Sequence, residues 1–108
     1  MDSDKRLEEA VQELRAAADP TRAGAGLEPR ALDRRTRGLV GIGAAVSLGA
    51  STSTYRGLIR QAREGGASAD ECVGAFLAAA PVVGAARLVT GAPLLASALG
   101  YDVDQALE

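Results

Sequence analysis

Four consecutive hydroxyl residues, Ser51-Thr52-Ser53-Thr54, stand between Gly49 and an amphipathic segment. A serine in such a run could be a nucleophile, the run could bind an anion at the start of a helix, or it could cap that helix. The chain has no histidine, and no lysine lies near the run, so a serine nucleophile would have no base to activate it. Helix capping and anion binding therefore remain as the two interpretations.

Two arginines follow the hydroxyl run at helical spacing, Arg56 and Arg60. Side chains four residues apart lie on the same face of a helix. The pair is either part of a solvated face, with Arg60 joined to Glu64, or a clamp for a carboxylate. The planar guanidinium group suits the second use because it binds a carboxylate through two parallel hydrogen bonds.

Three more arginines, Arg34, Arg35 and Arg37, crowd the predicted start of the preceding helix. Cations at this position oppose the positive end of the helix dipole. Because this placement is electrostatically unfavourable, we expect an anionic partner for at least one of them, either an acid of a neighbouring subunit or a bound ligand. Arg37 is on this ground a candidate substrate-binding residue.

The counts of histidine and cysteine restrict the chemistry further. Without histidine the chain lacks the commonest general base and the commonest zinc ligand. The single cysteine, Cys72, allows neither an internal disulfide nor a thiolate metal cluster. We therefore expect no metal and no cofactor.

Charge is unevenly distributed along the chain. Residues 29–100 hold eight arginines against four acids, a net charge of +4, and both flanking segments are acidic. This excess is too small, and an aromatic content of 3 % too low, to predict a nucleic-acid surface. It suits small anionic ligands.

Residues 72–101 contain one charged residue, Arg87, and could be taken for a membrane segment. Arg87, Pro81 and Pro93 divide the stretch into pieces shorter than the roughly 20 apolar residues that a spanning helix needs. We therefore predict no membrane span. The start of the chain shows no secretory signal pattern, which predicts a cytoplasmic protein.

Helical periodicity dominates the chain, and no segment alternates with period two. The first predicted helix ends at Pro20, residues 21–32 are a predicted linker, and Asp33 and Gly49 are the predicted caps of the second helix. We predict residues 1–28 to be an N-terminal helix and linker, and residues 29–108 to form the main domain of what is a single-domain protein overall.

Three further helices complete the prediction. The third helix begins within the hydroxyl run, ends at Gly65, and carries an apolar stripe formed by Tyr55, Leu58, Ile59 and Ala62. The fourth begins at a capping box, serine followed three residues later by glutamate, and the fifth follows a break at residues 81–84. Their predicted apolar residues are Val73, Phe76, Leu77 and Ala80 on the fourth and Leu88, Val89, Leu95 and Leu99 on the fifth.

The predicted fold class is thus all-α, a bundle of about five to six helices. Hydrophobic residues make up 47 % of the chain, but these are mainly small aliphatic side chains, each of which buries little area. A short chain with such a core often gains stability by association. The composition therefore favours an oligomer.

Three segments in order, LDRRTRGLVGIGAAVSLGAS, AREGGASADE and FLAAAPVVGAARL, resemble the carboxymuconolactone decarboxylase and alkylhydroperoxidase-D-like family. The resemblance covers residues 29–100. It implies an all-helical fold that assembles as homotrimers or homohexamers, with active sites near the subunit interface.

The peroxidase branch of that family has a Cys-x-x-Cys pair, a histidine four residues on, and a glutamate on the preceding helix. Aligned on Ala62 and Gly66, the cysteine positions are Ser51 and Thr54, and the histidine position is Leu58. The glutamate position falls near residues 38–39, Gly-Leu. Because hydroxyl groups do not replace thiolates in peroxide reduction, we predict that this chain is not a thiol peroxidase.

The decarboxylase branch does not need the cysteines, although it usually has a histidine at the Leu58 position. The resemblance therefore implies a cofactor-free decarboxylase, or a related lyase or isomerase, acting on a small organic acid or lactone. Tyr55 would donate or position a proton, with packing as its alternative role.

In this hypothesis the substrate would be held by the arginines and hydroxyls named above, which are Arg56, Arg60, Arg37, Ser51 and Thr54. The alternative hypothesis is a non-catalytic oligomeric scaffold or small-molecule-binding protein on the same fold.

Overall fold

The computed structural model describes residues 2–21 and 31–101, with the Asp2 side chain left aside. Every regular element in these ranges is a helix, which confirms the all-α prediction. The helices are α1 (Asp2–Ala17), α2 (Arg34–Leu48), α3 (Thr52–Glu64), α4 (Ala69–Ala78), α5 (Ala80–Val83) and α6 (Ala85–Ala98).

Helix α1 belongs to one compact unit and helices α2 to α6 belong to a second. The predicted first helix is confirmed, and it ends before Pro20 as expected. Leu7, Val11 and Leu14 on its apolar stripe are exposed. Most of the predicted linker, residues 22–30, lies outside the described residues.

The caps of α2 are those that the sequence predicted. The backbone N–H of Thr36 donates a 2.8 Å hydrogen bond to Oδ1 of Asp33. Hydrogen bonds from the backbone and the side chain of Thr36 lower the pKa of the Asp33 carboxyl. At the other end Gly49 adopts a left-handed conformation with φ of 63°, which glycine tolerates best.

The start of α4 is the predicted capping box. Glu71 N–H donates to Ser68 Oγ at 3.1 Å, and Ser68 N–H donates to Glu71 Oε1 at 3.0 Å. Further along, Gly84, with φ of 84°, separates the single turn α5 from α6 at the predicted break.

The core of the second unit forms where α2, α3, α4 and α6 meet. Its centre is Ile42 on α2, Tyr55 and Ile59 on α3, Phe76 on α4 and Leu95 on α6, all at least 95 % buried. Of the predicted α3 stripe, Tyr55, Ile59 and Ala62 are buried. The prediction of that apolar face is therefore confirmed.

The predicted apolar faces of the later helices are partly wrong. Val73 and Leu77 of α4 are 37 % and 57 % exposed, and Val89 of α6 is 74 % exposed. Phe76 of α4 and Leu95 of α6 are buried as predicted, and the other buried side chain of α4 is Cys72. Because the charged residues of these helices are confined to the first turn of each, their sequences contain no continuous polar face that would fix their rotation.

Two arginines at the start of α2 form ion pairs with acids of the same chain. Arg34 pairs with Glu64 at 2.6 Å, and Arg35 pairs with Glu71. The expectation of a partner from another subunit or a ligand was therefore wrong for these two. The Arg60–Glu64 pair of the solvated-face interpretation is not found in the described ranges, where Glu64 pairs with Arg34.

None of the helices in the described ranges combines the length and the apolar character needed to cross a membrane.

The α2–α3 contact yields a prediction about Gly38. A Cβ on Gly38 would lie 2.6 Å from the Ala62 nitrogen and 2.7 Å from its Cα, and backbone cannot yield as a flexible side chain does. We expect Gly38→Ala to lower the free energy of unfolding by about 1–3 kcal/mol in urea denaturation. The matched control is Gly57→Ala on α3, which has open space around it and should stabilise by up to about 1 kcal/mol. Equal effects of both changes would contradict close packing at Gly38.

The buried thiol of Cys72 yields a pH prediction. Burial raises its pKa, and the charge of Arg63 opposes this in part. The folded state thus favours the protonated thiol. The contribution of this thiol to the free energy of unfolding is therefore complete well below the unfolded pKa of about 9 and is lost as the pH rises through the folded pKa. We expect the free energy of unfolding to fall by at most about 1 kcal/mol between pH 8 and about pH 9.5. Cys72→Ala should be less stable at pH 8 but lose less over this interval, and parallel pH profiles would contradict the assignment.

Candidate functional site

The hydroxyl run forms the start of α3. Thr54 N–H donates a 3.3 Å hydrogen bond to Oγ of Ser51, so Ser51 is the N-cap and the capping interpretation of the run is confirmed. The same Oγ also lies 3.1 Å from Oγ of Ser53 and 3.3 Å from Oγ1 of Thr54. Ser51 and Thr54, two predicted substrate-binding residues, are therefore neighbours on an exposed helix start.

Tyr55, the predicted catalytic residue, points from this helix start into the core. Its side chain is 1 % exposed and its ring packs at a tilt of 60° against Phe76, with centroids 6.3 Å apart. A Cβ on Gly91 of α6 would lie 3.2 Å from the Tyr55 hydroxyl oxygen. The hydroxyl group thus meets the backbone of α6 at a glycine.

The Tyr55 hydroxyl makes no hydrogen bond to any residue in the described ranges. Burial raises the pKa of this phenol, so it stays protonated throughout the neutral range. The hydroxyl oxygen itself is not fully buried, so it is open to the space beside it.

A cavity of about 280 Å³ lies beside Tyr55. Its polar lining comes from Tyr55 and from Arg87 and Thr90 on α6. The remaining lining residues are small or apolar: Val46, Gly49, Ala50, Ala86, Gly91 and Leu94. This volume is at the lower end of the range for small-molecule pockets. We call it the Tyr55 cavity.

Arg87 is the one charged side chain in the lining of the Tyr55 cavity. It lies in the first turn of α6, which has no acidic residue and no capping side chain. A Cβ on Gly49 would lie 3.1 Å from a terminal guanidinium nitrogen of Arg87, so the guanidinium group sits against the end of α2.

The Thr90 hydroxyl is oriented by its own helix. It donates a 3.2 Å hydrogen bond to the carbonyl oxygen of Ala86. Its proton is thereby committed, and the oxygen lone pairs remain available to a donor. Among the described residues, the Tyr55 cavity thus combines a phenol donor, a guanidinium donor and a hydroxyl acceptor.

The other predicted arginines lie elsewhere. Arg56 and Arg60 are exposed on α3, and Arg37 is half-buried on α2 with its Nε buried. The lining of the Tyr55 cavity includes Arg87 instead. Sequence reasoning missed this residue, although it stood out as the one charge within residues 72–101.

The position at which the resemblance implied a histidine holds a packing residue. A Cβ on Gly41 would lie 2.6 Å from Cδ2 of Leu58, so the Leu58 side chain is in contact with α2. Across residues 2–21 and 31–101, acids and cysteine form no group of three that could hold a metal ion.

A second concavity of about 460 Å³ lies between α2, α4 and α5. Ser47 is the one residue of its lining with a polar side chain. The others are aliphatic residues or glycine: Leu39, Val40, Gly43, Ala44, Ala75, Ala78, Ala79, Val82 and Val83. We call it the apolar groove.

Comparison with known proteins gives one result. A sequence model described as the carboxymuconolactone decarboxylase family matches residues 12–97. Comparisons with curated proteins and with solved structures produced no significant match. The match extends over most of the chain, from within α1 to the end of α6, and includes every residue of both concavities. The chain belongs to the carboxymuconolactone decarboxylase family.

Proposed function

We propose that this protein binds a small organic acid or lactone in the Tyr55 cavity and acts on it as a cofactor-free decarboxylase or a related lyase or isomerase. One observation carries the proposal: the Tyr55 side chain is buried, and its hydroxyl group faces a cavity and has no hydrogen-bond partner among the described residues. A hydrogen bond from this hydroxyl to a ligand oxygen would contribute about 0.5–1.5 kcal/mol to binding.

The chemistry needs little from the protein. When the carbon–carboxylate bond breaks, the electron pair moves into the conjugated carbonyl group of the substrate, and carbon dioxide leaves. The resulting enolate takes a proton on carbon from Tyr55, and the tyrosinate then recovers a proton from water. The raised pKa of Tyr55 keeps the donor protonated before each turnover.

The other predicted binding residues do not line the Tyr55 cavity. Ser51 and Thr54 present hydroxyl groups and the positive end of the α3 dipole next to Tyr55 in sequence. Arg56, Arg60 and Arg37 add positive charge to the same unit, which favours the approach of an anion.

A non-catalytic role is the second candidate. Ser51, Thr54 and Leu58 stand where the peroxidase branch has its two cysteines and its histidine. In this alternative the Tyr55 cavity retains a ligand without converting it. Release of carbon dioxide by a binding-competent protein distinguishes the two roles.

Self-association is the second part of the proposal. The apolar groove exposes valines to solvent, with Val40 58 % and Val82 87 % exposed, and no charged residue lines it. Exposed apolar surfaces of this kind mark association sites. A second copy of the chain is the fitting occupant because an uncharged apolar face can pack against an apolar surface of another copy without burying a charge. We propose a homotrimer or homohexamer, as the family resemblance implies.

The Tyr55 proposal predicts a separation of function from stability. For a lactone acid that the wild-type protein decarboxylates, the turnover rate of Tyr55→Phe should be lower by roughly 100-fold or more, because the proton donor is gone. Affinity should fall by up to about tenfold, the equivalent of one neutral hydrogen bond. Stability at neutral pH should stay within about 1 kcal/mol of wild type or rise, because the lost hydroxyl has no partner in the described protein.

The measurements are carbon dioxide release, calorimetric binding and urea denaturation, over a panel of lactone acids, keto acids and aromatic acids. Tyr101→Phe is the matched control, since Tyr101 is exposed and should show wild-type values. Wild-type turnover and affinity in Tyr55→Phe would refute the proposal. Binding without carbon dioxide release and without any other conversion of the ligand would select the non-catalytic alternative.

The association proposal predicts a change in mass. Val82→Glu places a charge in the apolar groove and should shift the assembly toward monomer in light-scattering chromatography, because burying an unpaired carboxylate is costly. Val89→Glu is the matched control, a valine of comparable exposure outside the groove. A monomeric wild type, or equal effects of the two changes, would exclude the groove as the interface.

A further inference from the structure

The charge of Arg87 is unusual for its surroundings. It is a cation in the first turn of α6, where the positive end of the helix dipole opposes it. The first turn offers neither an acid nor a capping side chain as compensation. An anion bound there would be attracted both by the guanidinium group and by the helix terminus.

The described protein supplies no anion for Arg87. At the opposite end of α2, Arg34 and Arg35 are paired with Glu64 and Glu71. Arg87 has no ion pair in the described ranges, and it lines a cavity together with the Tyr55 hydroxyl, which has no hydrogen-bond partner there either. Two polar groups lacking partners thus meet at one cavity.

We infer that Arg87 is the carboxylate anchor of the Tyr55 cavity and that the ligand is a monoanionic carboxylic acid with a compact apolar body. This rests on the proposed function and names its substrate class. One guanidinium group matches one carboxylate through two parallel hydrogen bonds. A second carboxylate would have to be buried against Val46, Ala50 or Leu94 without a cation.

The spacing along α6 sets the length of the ligand. Arg87 and Gly91 are four residues apart, about 6 Å along the helix axis. Gly91 is the residue whose missing Cβ leaves room for the Tyr55 hydroxyl. A ligand that meets both groups therefore spans roughly one helical turn, with its carboxylate at Arg87 and an acceptor oxygen, such as a lactone carbonyl, at Tyr55.

Calorimetric binding of three matched compounds tests the inference. The probes are γ-carboxy-γ-butyrolactone, its methyl ester, and a γ-butyrolactone with two carboxyl groups. Wild type should bind the monocarboxylate most tightly. Arg87→Gln should weaken that binding by roughly 10- to 100-fold, the loss expected for a hydrogen-bonded charge, and leave ester binding unchanged.

Two further variants make the result specific. Arg15→Gln on α1 removes the same charge from the other compact unit and should retain wild-type affinity. Arg60→Gln tests the clamp predicted on α3. If Arg60→Gln removes the preference for the acid and Arg87→Gln does not, the anchor is on α3 and the inference is wrong. Thermal unfolding of Arg87→Gln should match wild type, since the residue is exposed.

The remaining outcomes separate this inference from the proposed function. Acid and ester binding equally well, with no effect of Arg87→Gln, would overturn the anchor and leave Tyr55 binding intact. Tighter binding of the dicarboxylate would overturn the monoanion assignment alone. Failure of every probe to bind would overturn both.

Discussion

The direct contact between the backbones of α2 and α3 is the constraint on which the second compact unit depends. At Gly38 and at Gly65 a side chain would run into the backbone of the opposite helix, at Ala62 and Arg35 respectively. Helices that approach this closely leave no room for rotation, so Tyr55 is directed into the core. The start of α2 also lies beside the end of α3, which places the hydroxyl run near the end of α2.

This antiparallel arrangement separates the charges of the second unit. At one end, arginines of α2 meet Glu64 at the end of α3 and Glu71 at the start of α4, and these charges compensate one another. At the other end lie the Tyr55 cavity and Arg87, for which the described chain supplies no acid. A bound anion would neutralise Arg87 as Glu64 and Glu71 neutralise the arginines at the opposite end.

The sequence predicted the features that depend on neighbouring residues. The caps at Asp33, Gly49, Ser51 and Ser68 are local hydrogen-bonding or conformational signals, and the structure confirms each of them. The α3 face was predictable because α3 alternates charged and apolar residues at helical spacing. The charged residues of α4 lie only in its first turn, so the rest of the helix contains no comparable signal, and the exposure of Val73 and Leu77 could not be foreseen.

The candidate site was less predictable because it is a long-range feature. Tyr55 was singled out from its place beside the hydroxyl run, but its neighbours Arg87 and Thr90 lie more than thirty residues away on α6. In sequence, Arg87 only interrupts an apolar stretch. Arg87 lines a cavity with Tyr55 because α6 packs against α3, and local periodicity does not encode that packing.

Two unfavourable choices coincide at the point where Tyr55 meets α6. Gly91, inside a helix, costs up to about 1 kcal/mol against alanine, and the Tyr55 side chain is buried although its hydroxyl group has no partner among the described residues. They are coupled, because a Cβ at Gly91 would press on both the Tyr55 oxygen and the Phe76 ring. Phenylalanine at Tyr55 would remove the unpaired group while keeping the packing. Residues that lower the stability of a fold are usually found at functional sites. Tyr55 and Gly91 line the same cavity as Arg87, which has no ion pair in the described ranges.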